Sequence, residues 1–112
     1  MAIYSNLSVD QGSTFGAEID VTDSSGDPLD LAGYTVEGQL RKTYTSTTST
    51  AFTASVFSAA GGIVKIALSA TTTNALKAGR YVYDVEITKT STSEITRIIE
   101  GQLEVRPGVT RA

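Results

Sequence analysis

Three charged residues in the stretch "AGRYVYDVEI", residues 78–87, come nearest to a reaction centre in this chain: Arg80, Asp84 and Glu86. In an extended strand they share one face, with alternate neighbours about 7 Å apart. Two carboxylates at that spacing can straddle a substrate bond, one as acid and one as base or nucleophile. That chemistry needs burial to raise one carboxyl pKa. The flanking residues supply no such burial, and the chain has neither His nor Trp to assist. The expected role of this face is a solvated or contact surface, with cross-strand partners such as Arg97 or Lys89.

The other chemical candidates also favour plain readings. Asp23, Asp27 and Asp30 in "DSSGDPLD" resemble a calcium loop, but their offsets are wrong and the terminal bidentate Glu is missing. Asp, Ser, Gly and Pro together predict a turn. "AAGGI" lacks both the GxGxxG order and a following helix, so it reads as a hairpin turn. No GxSxG elbow occurs, and a Ser triad has no His to use. Tyr34, Tyr81 and Tyr83 fall on inward positions, with hydroxyls expected at the rim of the core. Tyr4 and Tyr44 lie near strand or loop ends. With Arg106 and Arg111 they form the candidate interface set, because Tyr and Arg are enriched at protein contacts. Exposed Tyr side chains also suit stacking on a sugar.

The 112 residues make one domain, residues 1–112, with a short tail over about 107–112. Hydrophobic residues are 40% and charged residues 19%, a globular balance. The net charge is −3. Without a basic surplus, nucleic acid is not an expected partner. Cys is absent, which excludes disulfides and thiolate chemistry. No apolar run approaches membrane-spanning length, and "MAIYSNLSVD" has no signal-peptide pattern. No cofactor or metal is expected.

Period-two alternation recurs along the chain, whereas helical periodicity does not. Strands are expected over residues 3–9, around "STFGAEIDVT", over "GYTVEGQLRKT", from Phe52 to Val56, over "IVKIALS", and over residues 80–88 and 94–106. The inward residues include Phe15, Ala17, Ile19 and Val21; Val64, Ile66 and Leu68; and Tyr81, Tyr83, Val85 and Ile87. In the last strand Ile99, Gly101, Leu103 and Val105 are expected to face in. "SATTTNALKAG" predicts one or two helical turns, capped by Ser69 and ended by Gly79, with Leu76 dipping into the core. Residues 46–50 predict an exposed, mobile tip. About seven strands at a spacing of roughly ten residues predict an all-β, immunoglobulin-like antiparallel β-sandwich with one short helical turn. Tyr81 or Tyr83 is then placed to act as a corner tyrosine.

Three ordered pieces carry a family resemblance. They are "DLAGYTVEGQLRK" from Asp30, "GGIVKIALSATTTNALKAGRYVYDVEIT" from Gly61, and "TRIIEGQLEVRPGVTR" from Thr96. Together they resemble small virion structural proteins of tailed phages, notably those infecting marine cyanobacteria. More distantly they resemble the immunoglobulin-like N-terminal module of some phage baseplate proteins. The resemblance implies a non-enzymatic particle component on an Ig-like sandwich, in head decoration or in the tail or baseplate, assembled in the host cytoplasm. It implies other virion proteins as partners and carries no catalytic residues. The expected contact elements are the N-terminal strand, residues 43–53 and the C-terminal "RPGVTR". Homo-oligomerisation through free strand edges is a further expectation. The alternative is a carbohydrate-binding or adhesin-like module that grips a host-surface glycan through exposed Tyr.

Overall fold

The structure, a computed structural model, describes residues 3–23 and 25–108. It is an all-β sandwich of two sheets. In chain order the elements are β1 (Ile3–Tyr4), β2 (Leu7–Asp10), β3 (Phe15–Asp20), β4 (Tyr34–Arg41), β5 (Thr50–Ala51), β6 (Thr53–Ser58), β7 (Ile63–Leu68), α1 (Ala70–Ala75), β8 (Gly79–Lys89) and β9 (Glu94–Arg106). The larger sheet runs β1-β9-β8-β4-β5, with β2 also on β9. The smaller runs β3-β7-β6. β1 and β2 form one interrupted strand. β5 and β6 form another, which crosses from one sheet to the other at Phe52. Counted this way there are seven strands among the described residues, in immunoglobulin-like order.

Alternation explains the layers. Along β8, Tyr81, Tyr83, Val85 and Ile87 are buried. They meet Val64, Ile66 and Leu68 of β7, Leu40 of β4, and Leu103 and Val105 of β9 in one core. Phe52 enters the core where the chain changes sheets, with its ring 6.1 Å from Tyr83, edge-on, and 6.3 Å from Phe15. Such aromatic pairs add roughly 0.5–1.5 kcal/mol beyond area burial.

The helix is short because β-branched Thr dominates it. The Ser69 hydroxyl accepts from the Thr72 amide at 3.2 Å, as an N-cap should. The helix ends earlier than Gly79, however. Leu76 turns extended as C-cap and buries its side chain, and Gly79 instead opens β8. The fully buried Thr73 hydroxyl donates to the Ser13 carbonyl at 2.8 Å and accepts from the Gly12 amide at 3.1 Å. Gln11 donates to the Leu76 carbonyl at 2.8 Å. The helix is thereby fastened to the turn between β2 and β3.

Three further expectations are corrected. The sheets are not wholly antiparallel, because β1 and β2 run parallel to β9. A parallel neighbour needs a long connection, and here the whole intervening chain supplies it. Inward alternation in β9 breaks at a bulge opposite Val85 and Glu86, so Ile98 is buried beside Ile99. The tip over residues 46–50 is partly held. Arg41 donates to the Ser46 carbonyl at 2.7 Å, and Thr50 pairs with Leu40.

The kink between β1 and β2 has a specific cause. Tyr83 donates its hydroxyl to the Ser5 carbonyl at 2.6 Å, and the Ser5 amide donates to the Glu100 carbonyl at 2.8 Å. Gly101 faces Tyr83 across the ladder, and a Cβ there would overlap the Ser5 carbonyl oxygen. The N-terminal strand therefore dips into space that only glycine leaves. Gly101→Ala is expected to cost about 2 kcal/mol or more, as forced backbone displacement does. Chemical denaturation will measure it.

Burial pushes the Tyr83 phenol from 10.0 up to about 12. The folded state thus favours neutral Tyr83. Its stabilising contribution is fully present below pH 10 and is lost as pH rises through about 12. Tyr83→Phe is expected to cost about 1 kcal/mol at neutral pH. The stability gap to wild type should shrink over that alkaline window when denaturant midpoints are compared at each pH.

Candidate functional site

The outward positions of β4, β8 and β9 form one continuous polar face. Register places Gln39 beside Asp84, Glu37 beside Glu86, Asp84 beside Glu100, and Arg80 beside Glu104. Two of these pairs set like charges directly opposite, which is unfavourable unless a cation intervenes. Arg97 supplies one. Its Nε lies 3.3 Å from Asp84 Oδ2 and its Nη1 3.4 Å from Glu100 Oε1. The bulge at Ile98 brings Arg97 opposite Glu86, one position out of plain alternation with Glu100. Arg97 is thus the cross-strand partner expected for this face, and Lys89 lies at the far end of β8 beside Glu94.

The centre of the face dips into an open depression of about 310 Å³, lined by Gln39, Tyr44, Asp84, Glu86, Arg97 and Glu100 among others. Asp84 and Glu86 therefore meet solvent and a guanidinium rather than an apolar wall. Among the described residues, no group of carboxylates is arranged to hold a metal ion. In the "DSSGDP" loop, Asp23 turns its carboxylate to its own chain, accepting from the Ser25 and Asp27 amides at 2.9 and 3.1 Å. Asp30 does the same with the Ala32 amide. These are turn bonds, as Asp provides in loops.

The predicted interface residues separate. Tyr4 pairs with Glu100 in register, so its 63% exposed side chain shares the outer face with Arg97 and Asp84. Tyr44, 77% exposed, rises from the turn after β4 and lines the same depression. The fold thus brings Tyr4 and Tyr44 to one face from opposite sides of the sheet. Arg106 lies at the end of β9 and does not line the depression. It contacts Glu104 at 3.6 Å and the Ser8 hydroxyl at 3.4 Å. Arg111 lies outside the described residues. Sequence reasoning missed Ile95, which is 62% exposed on this face opposite Thr88. Plain alternation puts Ile95 on the inward parity of Ile99 and Leu103, and only the bulge at Ile98 turns it outward.

Tyr81 is the corner tyrosine. Its hydroxyl donates to the Lys77 carbonyl, four residues upstream, at 2.8 Å. The Lys42 ammonium lies 4.9 Å from its ring centroid, a cation–π contact.

No helix among the described residues is long and apolar enough to cross a membrane. No family profile matches the chain, and no curated protein matches it. Among solved structures, InlP of Listeria monocytogenes is similar in fold, with a TM-score of 0.50 and 15% identity. The similarity covers 94% of this chain, which spans 28% of the InlP chain. Because 111 solved chains match, the architecture by itself does not select a function.

Arg97→Ala leaves Asp84 and Glu100 facing each other. The expected cost is about 0.5–1 kcal/mol at low salt, shrinking when salt screens the pair. Urea denaturation at two ionic strengths checks both parts.

Proposed function

We propose that this chain is a non-enzymatic structural module of a tailed-phage particle, acting through protein–protein contacts in head decoration or in the tail or baseplate. The reading rests first on the three-part resemblance. Its pieces fall on β4, on the run from β7 to β8, and on β9, so β4, β8 and β9 make one layer with a single outer face. The character of that face carries the proposal. Its Asp84 and Glu100 are ion-paired to Arg97, its depression is open to solvent, and Tyr4, Tyr44 and Ile95 stand exposed around it. Aromatic residues and Arg over a broad, rigid surface suit a partner protein better than a small substrate. Mass spectrometry of purified virions is expected to find the chain in many copies per particle. Its absence from intact particles would remove the proposal.

One observation favours a second reading, a module that recognises a surface glycan. Tyr44 offers a ring beside polar Gln39, Asp84, Glu86 and Arg97, an arrangement that can stack on a sugar and bond its hydroxyls. In that case a glycan array gives signals that Tyr44→Ala abolishes. Flat arrays from a protein that does incorporate into particles decide for the first reading.

A further inference from the structure

The long axis of the molecule separates charge. β3 and β8 run in the same direction, each from the α1 end to the opposite end, so each end collects known residues. One end holds α1, the turn after β4 and the start of β8. Among the described residues it carries the cations Arg41, Lys42, Lys77, Arg80 and Arg106 against the carboxylates Asp10 and Glu104. The other end holds the loop after β3 and the β8–β9 hairpin. It carries Asp20, Asp23, Asp27, Asp30 and Glu94 against Lys89. β8 alone spans roughly 35 Å at about 3.3 Å per residue, and the molecule measures 44 × 28 × 22 Å.

The basic end is concave. A cavity of about 500 Å³ opens between the residues before β5 and the end of α1, lined by Lys42, Thr48, Ser49, Thr50, Lys77 and Tyr81 among others, with no carboxylate in its wall. Tyr81 organises both lysines. Its ring lies under the Lys42 ammonium and its hydroxyl holds the Lys77 carbonyl. Gly79 keeps room for this arrangement, since a Cβ there would stand 2.8 Å from Lys42 Nζ.

The loop at the acidic end is internally braced. Thr22 bridges Pro28, the Asp23 amide donates to the Asp27 carbonyl at 2.8 Å, and the Leu29 amide donates to the Val21 carbonyl at 2.9 Å. The Asp23 and Asp30 carboxylates hold backbone turns. Asp20 and Asp27 have no such intramolecular bond among the described residues, and both are exposed.

We propose that copies of this chain associate head to tail, the acidic loop of one copy seating in the Lys42–Lys77 cavity of the next. A braced knob and a preorganised cationic socket keep the ordering cost of such a contact low. The contact joins two different surfaces, so it propagates into rows or closes into rings rather than stopping at a two-fold dimer. It goes beyond the particle role proposed above and stands on charge placement alone.

Sedimentation velocity of the purified chain tests it. At low salt the average mass should rise with protein concentration, and added salt should reverse the rise as screening shortens the reach of the charges. Lys42→Glu/Lys77→Glu should weaken association roughly tenfold or more through like-charge contact, and Asp27→Lys should do the same. Circular dichroism melting should show both variants folded. An equimolar mixture of the two should associate again, because the carboxylates introduced in one variant's socket meet the lysine introduced on the other's loop. A wild-type chain that stays monomeric at low salt overturns the proposal. So do variants that associate like wild type, or a mixture that fails to recover. A chain found in virions but monomeric in solution removes this inference and leaves the particle role standing.

Discussion

Two tyrosine hydroxyls tie the periphery of this sandwich to its central strand. β8 is flanked by β4 and β9 and buries alternate side chains along most of its length. Tyr81 and Tyr83 are buried on that face, yet each must satisfy a hydroxyl. Each does so on a backbone carbonyl outside the strand. Tyr81 reaches Lys77 just before β8 begins, and Tyr83 reaches Ser5 in the N-terminal strand. The core strand thus sets the position of the crossover from α1 and of the first strand on the sheet edge.

The surface features follow from these ties. The Ser5 anchor, with Gly101 opposite, places Tyr4 beside Glu100 and so on the outer face. The Tyr81 anchor fixes the segment carrying Lys77 and gives Lys42 a ring to rest on. Buried polar groups that are fully satisfied act as position markers, since any shift of the partner leaves a costly unpaired group. No buried side-chain polar atom among the described residues lacks a partner.

The outer face shows how a sheet manages opposed charges. The register sets Asp84 beside Glu100, and Arg97 lies across both. All three remain in contact with solvent, so the ion pairs contribute little stability. What they do is relieve the repulsion of Asp84 and Glu100 at the centre of a broad face that carries exposed Tyr and Ile near its margins. The two ends of the molecule are left with opposite charge.

The sequence by itself determined what depends on near neighbours. Alternation in "RYVYDVEI" told which side of β8 is core, Ser69 announced the helix start, and Asp, Gly and Pro marked the loop after β3. Each is a local steric or hydrogen-bonding preference. Other features needed the folded chain. Ile98 is buried only because a bulge forms against Val85 and Glu86. Ser5 is a kink only because Tyr83, 78 residues away, takes its carbonyl. The parallel course of β2 along β9, and the gathering of Tyr4 and Tyr44 on one face, arise from pairings between distant segments. A period of two says which way a side chain points. It carries no record of which strand lies alongside or in which direction it runs, and those are settled by the packing of the whole core.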